Sequence, residues 1–153
     1  MTPAVEVARE AGIQFTLHEY EVIEQGTRDH AAEVARKLGI DPARLFKTLV
    51  ASVDDNLRVF VVPSDRSLDL RAVGKRAKLA DPTRAERATG YVVGGISPLG
   101  QRRALPTVID DSALGFETIL VSAGRRGLQI ELDPRELVRL LGAEVKPVSG
   151  PEA

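Results

Sequence analysis

The sequence predicts one α+β (mixed α/β) domain. Its length of 153 residues suits a single domain. Segments in which apolar and polar residues alternate come in adjacent runs with short helical segments between them, and this order favours a mixed sheet over regular strand–helix repeats. We expect about six or seven strands in a curled, mainly antiparallel or mixed, barrel-like sheet that is flanked by helices. The domain is placed at residues 1–148 and a flexible tail at residues 149–153.

Capping residues and turns divide the chain into these elements. Thr2, Asp81 and Asp133 can each cap a helix whose first residue is proline, and Asp29 can cap another. A turn at residues 54–56 joins two strongly apolar strands as a hairpin. In order, the predicted elements are a helix at 2–12, a strand at 13–20, a helix at 29–39, a hairpin at 45–63, a basic helix or helix plus short strand at 69–80, a helix at 81–90, strands at 107–111, 116–124 and 127–132, and a helix at 133–142.

Composition excludes several classes of protein. There is no cysteine, which removes disulfides, thiolate metal sites and a cysteine nucleophile, and with only His18 and His30 no metal-binding cluster stands out. A net charge of −1 argues against a general nucleic-acid coat. No apolar run resembles a signal peptide or a membrane helix, so we expect a cytoplasmic protein. We also expect that it uses no cofactor.

Lys47 is unusual because it lies in the most apolar predicted strand. Alternation places it on the same strand face as Leu49, Ala51 and Val53. Buried lysines are rare unless they are paired or functional. A lysine here could equally bury its stem and extend its ammonium group to water, and spacing alone does not decide between the two interpretations.

Residues 94–103, "GGISPLGQRR", combine glycine with positive charge. Gly94, Gly95 and Gly100 would let the backbone approach a ligand closely, and successive N–H groups can form an anion-binding nest. The pattern is neither a Walker loop nor a dinucleotide fingerprint. Glycine and proline can also mark a purely structural turn, but their density here favours a ligand-binding loop.

A second glycine–arginine segment, "VSAGRRG", covers residues 121–127. Its arginines, Arg125 and Arg126, could contact phosphate or could lie exposed in a hairpin turn. Four Phe, two Tyr and no Trp leave few side chains on which bases could stack. Any nucleic-acid contact should therefore be short, such as a single terminal nucleotide.

Together these segments resemble the YbaK family, bacterial trans-editing proteins that deacylate Cys-tRNA(Pro). The resemblance covers nearly the whole chain and implies one α/β domain with a surface cleft, similar to the domain inserted in some bacterial prolyl-tRNA synthetases. The segments that carry it are "MTPAV", "HEYE", "KLGIDPARLFKTLV", "ADPTRAERATGYVVGGISPLGQRRALPTVID" and "VSAGRRGLQIEL".

The resemblance implies release of cysteine from mischarged tRNA, with Lys47 as the essential lysine and Gly100 in the loop that faces the aminoacyl ester. The mechanism proposed for the family uses the substrate's own thiol, which attacks the ester carbonyl and leaves as a cyclic thiolactone. The expected substrate-binding residues are Tyr20, Thr48, Gly94, Gly95, Ile96, Ser97, Pro98, Leu99, Gln101, Ser122 and Gln129. Phosphate contacts are expected from Arg102, Arg103, Arg125 and Arg126.

Two departures from the family pattern leave alternatives open. Gln129 stands where the family commonly has aspartate, and residues 29–31 replace an aromatic–glycine pair. The protein could deacylate another small amino acid, such as alanine on tRNA(Pro), with a positioned water in place of the thiol. It could also be a binding module for a tRNA end or nucleotide without catalysis. Because a chain of net charge −1 should bind tRNA weakly, we expect prolyl-tRNA synthetase as a transient partner.

Overall fold

The computed structural model describes residues 1–22 and 30–152, so the expected helix cap Asp29 lies outside the described residues. Two short 3₁₀ helices cover Pro42–Arg44 and Asp111–Gly115. The α-helices are α1 (Pro3–Ala11), α2 (His30–Leu38), α3 (Leu70–Val73), α4 (Pro82–Thr89) and α5 (Pro134–Leu141). The strands are β1 (Phe15–Glu19), β2 (Phe46–Val53), β3 (Asn56–Pro63), β4 (Ser67–Leu68), β5 (Lys78–Leu79), β6 (Thr107–Asp110), β7 (Ile119–Arg125), β8 (Leu128–Leu132), β9 (Glu144–Lys146) and β10 (Ser149–Gly150).

The strands form three sheets, which confirms the mixed α+β prediction but not the single barrel-like sheet. The largest has the order β5-β2-β3-β6-β9, and its β3–β6 and β6–β9 pairs are parallel. A second, antiparallel sheet has the order β1-β8-β7, and β10 pairs with β4. No closed barrel forms among the described strands. Several strands have only two or three residues, too few for alternation in the sequence to reveal them.

The β2–β3 hairpin is the centre of the fold because both of its faces are covered. Along β3, Val59 and Val61 point into the main core, which α1, α4, α5 and the β1-β8-β7 sheet complete. Phe60 and Val62 point the opposite way into a second core. Burying each such side chain contributes about 1.5–3 kcal/mol, so this hairpin is strongly held in place.

The predicted hairpin turn and the predicted helix caps at Thr2 and Asp133 are confirmed. Asp54 and Asp55 both have positive φ angles, which asparagine and aspartate tolerate in tight turns. The Thr2 hydroxyl accepts from Val5 N at the start of α1 and also donates to Ala123 O, which ties this helix to β7. Asp133 accepts from the amide of Arg135 at the start of α5.

Two predicted capping details are wrong. The Asp81 side chain makes no capping hydrogen bond in the described part of the chain, and α4 begins with Pro82, whose fixed φ angle suits a first turn. Asp133 and Glu136 have the sequence spacing of a capping box, but the box is incomplete because the Glu136 carboxylate pairs with Arg139, one turn further along the helix. The ion pair with Arg139 thus occupies the Glu136 carboxylate that a capping box would require.

Buried Asp110 fixes the end of the chain against β6. Its carboxylate accepts from the Ser112 hydroxyl at 2.6 Å and from the amides of Val148 and Ser149 at 2.9 and 3.0 Å. The next residues form β10, where Ser149 and Gly150 pair with β4. Paired backbone therefore extends two residues beyond the predicted domain boundary at 148.

Replacement of Asp110 by asparagine tests this anchor. Burial would raise the pKa of Asp110, but the hydrogen bonds from Ser112, Val148 and Ser149 outweigh it, and the pKa lies below the ordinary value of 3.8. The carboxylate therefore stabilises the fold above pH 3.8, and this contribution is lost as the pH falls through the lowered pKa. We expect Asp110→Asn to lower the free energy of unfolding by about 1.5–3 kcal/mol at neutral pH.

Urea denaturation at neutral pH and at an acidic pH below the lowered pKa of Asp110 measures the effect. Exposed Asp111→Asn is the control, and it should change stability little at either pH. An equal loss from Asp110→Asn at both pH values would contradict the assigned role of the charge.

Candidate functional site

A cleft of about 560 Å³ opens beside β2. Because β5 pairs only with Ala51 and Ser52, the preceding part of β2, residues 46–50, forms one wall of this cleft. The start of α2, Pro42 and Leu45 on either side of the 3₁₀ helix, the start of α4 and the β7-β8 strands contribute to the other walls. Seven of the site residues expected from the sequence line this cleft: Tyr20, Lys47, Thr48, Gly94, Ile96, Ser122 and Gln129.

Lys47 is half-buried in the wall of this cleft. It lies on the predicted strand face, with Leu49, Ala51 and Val53, which belong to the second core. Burial lowers the pKa of Lys47, and the carboxylates of Glu152 and Asp65 partly oppose this shift. The structure thus places Lys47 on the strand face of the second core and in the lining of the cleft.

Polar side chains on the facing strands add hydrogen-bonding groups to the cleft. Gln129 on β8 lies opposite Ser122 on β7, so the two share a sheet face. The Gln129 amide nitrogen donates to the Tyr20 hydroxyl at 3.2 Å, and the Ser122 hydroxyl accepts from Gly124 N. The resemblance to the family implied all three residues as substrate-binding, and the pairing of β8 with β7 and with the chain around the end of β1 brings them together.

Two buried polar atoms beside the cleft have no hydrogen-bond partner among the described residues. They are the Thr48 hydroxyl and the Gln129 side-chain carbonyl. Gln129 is only 8% exposed, so its carbonyl oxygen lies largely out of contact with bulk solvent. Leaving such an atom unpaired costs about 1–3 kcal/mol, which a ligand with matching groups would recover.

The glycine-rich loop divides into two parts, and only the first reaches the cleft. Gly94 and Ile96 line it, while the backbone of Gly95 packs under the β7–β8 turn. A Cβ atom on Gly95 would lie 2.8 Å from Arg125 Cα and 2.9 Å from Arg126 N. Here the absence of a side chain allows close contact between two protein segments, whereas the sequence had suggested contact with a ligand.

The second part of the loop packs against α1. Ser97 and Leu99 are fully buried, the Tyr91 hydroxyl donates to Leu99 O at 2.6 Å, and Gln101 donates to Ser97 O. A Cβ atom on Gly100, which has φ +69°, would lie 2.7 Å from the Pro3 carbonyl carbon. The expected cleft contacts of Gly95, Ser97, Pro98, Leu99, Gly100 and Gln101 are therefore absent from the described lining. This second part of the loop, residues 97–101, instead packs beside α1.

The four candidate phosphate-binding arginines are exposed and lie in two places. Arg126 donates to Val93 O at 3.2 Å and packs on Gly94, so it stands at the rim of the cleft. Arg125 lies 3.7 Å from the carboxylate of Glu19. Arg102 and Arg103 follow α4, and their backbone amides bond to the carbonyls of its last residues. Of the two arginine pairs, Arg125 and Arg126 at the β7–β8 turn are thus placed nearer to the cleft than Arg102 and Arg103.

Sequence reasoning missed Ser64, Asp65 and Glu152, which also line the cleft. Asp65 could have been found from the hairpin register, because Pro63 pairs with Phe46 and the next residues must lie beside the start of β2. Glu152 carries no comparable signal, since tertiary contacts of residues 148–150 with distant parts of the chain bring this segment back to the cleft. Within the described ranges, no group of three or more His, Asp or Glu side chains could hold a metal ion, and no helix is long and apolar enough to cross a membrane.

A sequence model of the aminoacyl-tRNA editing domain matches residues 26–140, which include the β2–β3 hairpin, the glycine-rich loop and the Gln129 strand. The chain belongs to the aminoacyl-tRNA editing domain family. This confirms the resemblance to the YbaK family that the sequence motifs indicate.

Relatives of this editing domain include free-standing proteins and parts of synthetases. EbsC of Enterococcus faecalis, by its name a candidate Cys-tRNA(Pro)/Cys-tRNA(Cys) deacylase, is 35% identical over 134 residues, 82% of each chain. A proline–tRNA ligase of Thermoanaerobacter sp. (strain X514) is 29% identical over 65% of this chain but only 19% of the ligase. The crystal structure of a candidate trans-editing enzyme for prolyl tRNA synthetase has a TM-score of 0.78 and 25% identity over 98% of this chain and 99% of that one.

Gly95→Ala tests the packing of the editing domain's glycine loop. The added methyl group would meet backbone atoms of Arg125 and Arg126, which cannot move aside as a flexible side chain could. We expect the free energy of unfolding to fall by about 1–3 kcal/mol. Chemical denaturation measures this, and Gly115→Ala is the matched control because nothing lies within 4 Å of its Cβ position. Equal stabilities of the two variants would contradict the packing role of Gly95.

Proposed function

We propose that the protein is a trans-editing deacylase that releases cysteine from mischarged Cys-tRNA(Pro). The main support is one cleft that joins the Lys47 ammonium group to buried, unpartnered polar atoms of Thr48 and Gln129. Relatives named as deacylases and trans-editing enzymes of this kind add to it. The cleft volume of about 560 Å³ is in the range of sites for small molecules, which suits an acylated terminal ribose.

In the proposed reaction, the thiol of the attached cysteine attacks its own ester carbonyl. A carbon–sulfur bond forms, the carbon–oxygen bond to the ribose breaks, and the thiol proton ends on the ribose oxygen, leaving a thiolactone. The chain contains no cysteine, so the substrate supplies the only thiol. The protein's task is to fold the substrate into an attacking geometry and to stabilise negative charge on the carbonyl oxygen.

Lys47 supplies positive charge, either to this oxyanion or to oxygens of the terminal adenosine. We assign the backbone donors to Gly94 and Ile96, because both line the cleft. The amide of Gly95, between them, donates to Val92 O at 2.8 Å and is occupied. Gly100 is not retained as a substrate-facing residue in this proposal, since it packs against α1.

We assign tRNA phosphate contacts first to Arg126 and Arg125, which stand at the cleft rim and in the adjoining turn. Arg102 and Arg103 extend the basic surface beyond α4. Prolyl-tRNA synthetase is the proposed transient partner, because a chain of net charge −1 attracts tRNA only weakly.

One observation favours a second candidate substrate within the same class. Gln129 provides a neutral amide where the family commonly has a carboxylate, and its carbonyl oxygen is unpaired. A bound water could be held there, which would permit hydrolysis of alanine from tRNA(Pro) without a substrate thiol.

Deacylation of Cys-tRNA(Pro) and Ala-tRNA(Pro), with and without prolyl-tRNA synthetase, tests the proposal. We expect cysteine to be released as its thiolactone, and Lys47→Ala to slow release about 10²–10³-fold because one stabilising charge is lost. Remaining aminoacyl-tRNA is measured over time, the product is identified by mass spectrometry, and circular dichroism verifies folding. The control is Lys146→Ala, whose exposed ammonium pairs with Glu144 on β9. Clearance of the alanyl ester alone would reject the cysteine assignment, and full activity of Lys47→Ala would reject the role of Lys47.

Gln129→Leu separates substrate binding from folding. Leucine removes the unpaired oxygen with its desolvation penalty and also the bond to Tyr20; because these two effects oppose each other, stability should change by less than about 1 kcal/mol. The specificity constant kcat/KM should fall about tenfold, because one hydrogen bond to the substrate is lost. Gln101→Leu is the matched control: it loses the bond to Ser97 O outside the cleft, and it should weaken the fold while kcat/KM is kept. The opposite pattern would remove Gln129 from the proposed site.

A further inference from the structure

The C-terminal segment, residues 147–152, is anchored at several points beside the cleft. Val148 is buried, and its carbonyl accepts from Asp69 N at 2.8 Å while its amide binds Asp110. The Ser149 hydroxyl accepts from Arg66 Nε at 3.1 Å, and β10 pairs with β4. These contacts set the direction in which the chain leaves β10.

This direction brings Glu152 to the cleft that holds Lys47. The side chain lies at the exposed mouth, and Asp65 reaches the cleft from the segment after β3. Within residues 1–22 and 30–152, no carboxylate lies within the 4.0 Å ion-pair distance of the Lys47 ammonium. Glu152 therefore acts on Lys47 through space, and the N–H groups of Lys47 are not engaged by it.

We propose that Glu152 is a positioning residue that keeps Lys47 in its ammonium form, and that the C-terminal segment carries this carboxylate to the cleft. The consequence for catalysis rests on the proposed function, whereas the electrostatic effect on Lys47 does not.

The physical basis is the competition between burial and charge. Burial lowers the pKa of Lys47 and favours a neutral amine, which could not stabilise an oxyanion. Glu152 and Asp65 oppose this shift, with Glu152 the larger contributor. The remaining described titratable group lining the cleft is Tyr20, and Arg126 stands at the rim. A carboxylate near Lys47 but out of direct contact preserves the charge without blocking the donors.

Chemical reactivity of Lys47 tests the electrostatic claim without any tRNA. Only a neutral amine is acylated, so the pH dependence of acylation, followed by mass spectrometry, reports the titration of each of Lys37, Lys47, Lys75, Lys78 and Lys146. In Glu152→Gln the midpoint for Lys47 should move to lower pH, and the other four lysines should keep theirs. Glu152→Asp should restore most of the shift, and Glu10→Gln on α1 is the charge-matched control. An unchanged Lys47 midpoint in Glu152→Gln would overturn the proposal.

The pH profile of deacylation tests the catalytic consequence. Activity that needs the ammonium form is lost as the pH rises through the pKa of Lys47, so the alkaline limb of kcat/KM should move to lower pH in Glu152→Gln. Added salt should reduce the difference from wild type, because exposed charges are screened.

Two other results would count against this role. Higher activity of Glu152→Gln at every pH would mean that Glu152 obstructs the cleft. A loss of activity that disappears with an N-acetylated aminoacyl ester, at an unchanged Lys47 midpoint, would mean that Glu152 binds the substrate's own ammonium group. If the wild-type chain deacylates nothing, the proposed function fails, and the acylation experiment still decides the effect of Glu152 on Lys47.

Discussion

The burial of the β2–β3 hairpin on both faces is the constraint on which the rest of this structure depends. Two apolar cores hold the hairpin, so a lysine on β2 cannot leave the sheet without exposing Leu49 and Ala51, its neighbours on that face. The short pairing with β5 leaves residues 46–50 beside a cleft. Lys47 is therefore half-buried on a strand that two cores hold in place.

The site retains features that work against stability. Lys47 is partly desolvated, and the Thr48 hydroxyl and the Gln129 carbonyl are buried without partners among the described residues. Folding alone would favour apolar side chains at these positions. Such unmet polar groups concentrated in one cleft are typical of a binding or catalytic site, where a ligand restores the missing interactions.

The glycine-rich loop shows how one motif can combine two tasks. Gly95 and Gly100 contact protein backbone, at the β7–β8 turn and at the start of α1. These contacts lock the loop so that Gly94 and Ile96 face the cleft. The density of glycine in the sequence correctly indicated a close approach of the backbone. For Gly95 and Gly100, however, the partner is another part of the same chain.

By itself, the sequence determined the mixed α+β class, the helix and turn boundaries set by Thr2, Asp54 and Asp133, and the family, because caps, turns and motifs are local patterns. Tertiary structure alone decided that Gly100 turns away from the cleft and that Glu152 reaches it. Both outcomes depend on packing between segments far apart in the chain, the loop against α1 and the chain end against Asp110, and alternation along one strand carries no record of such contacts.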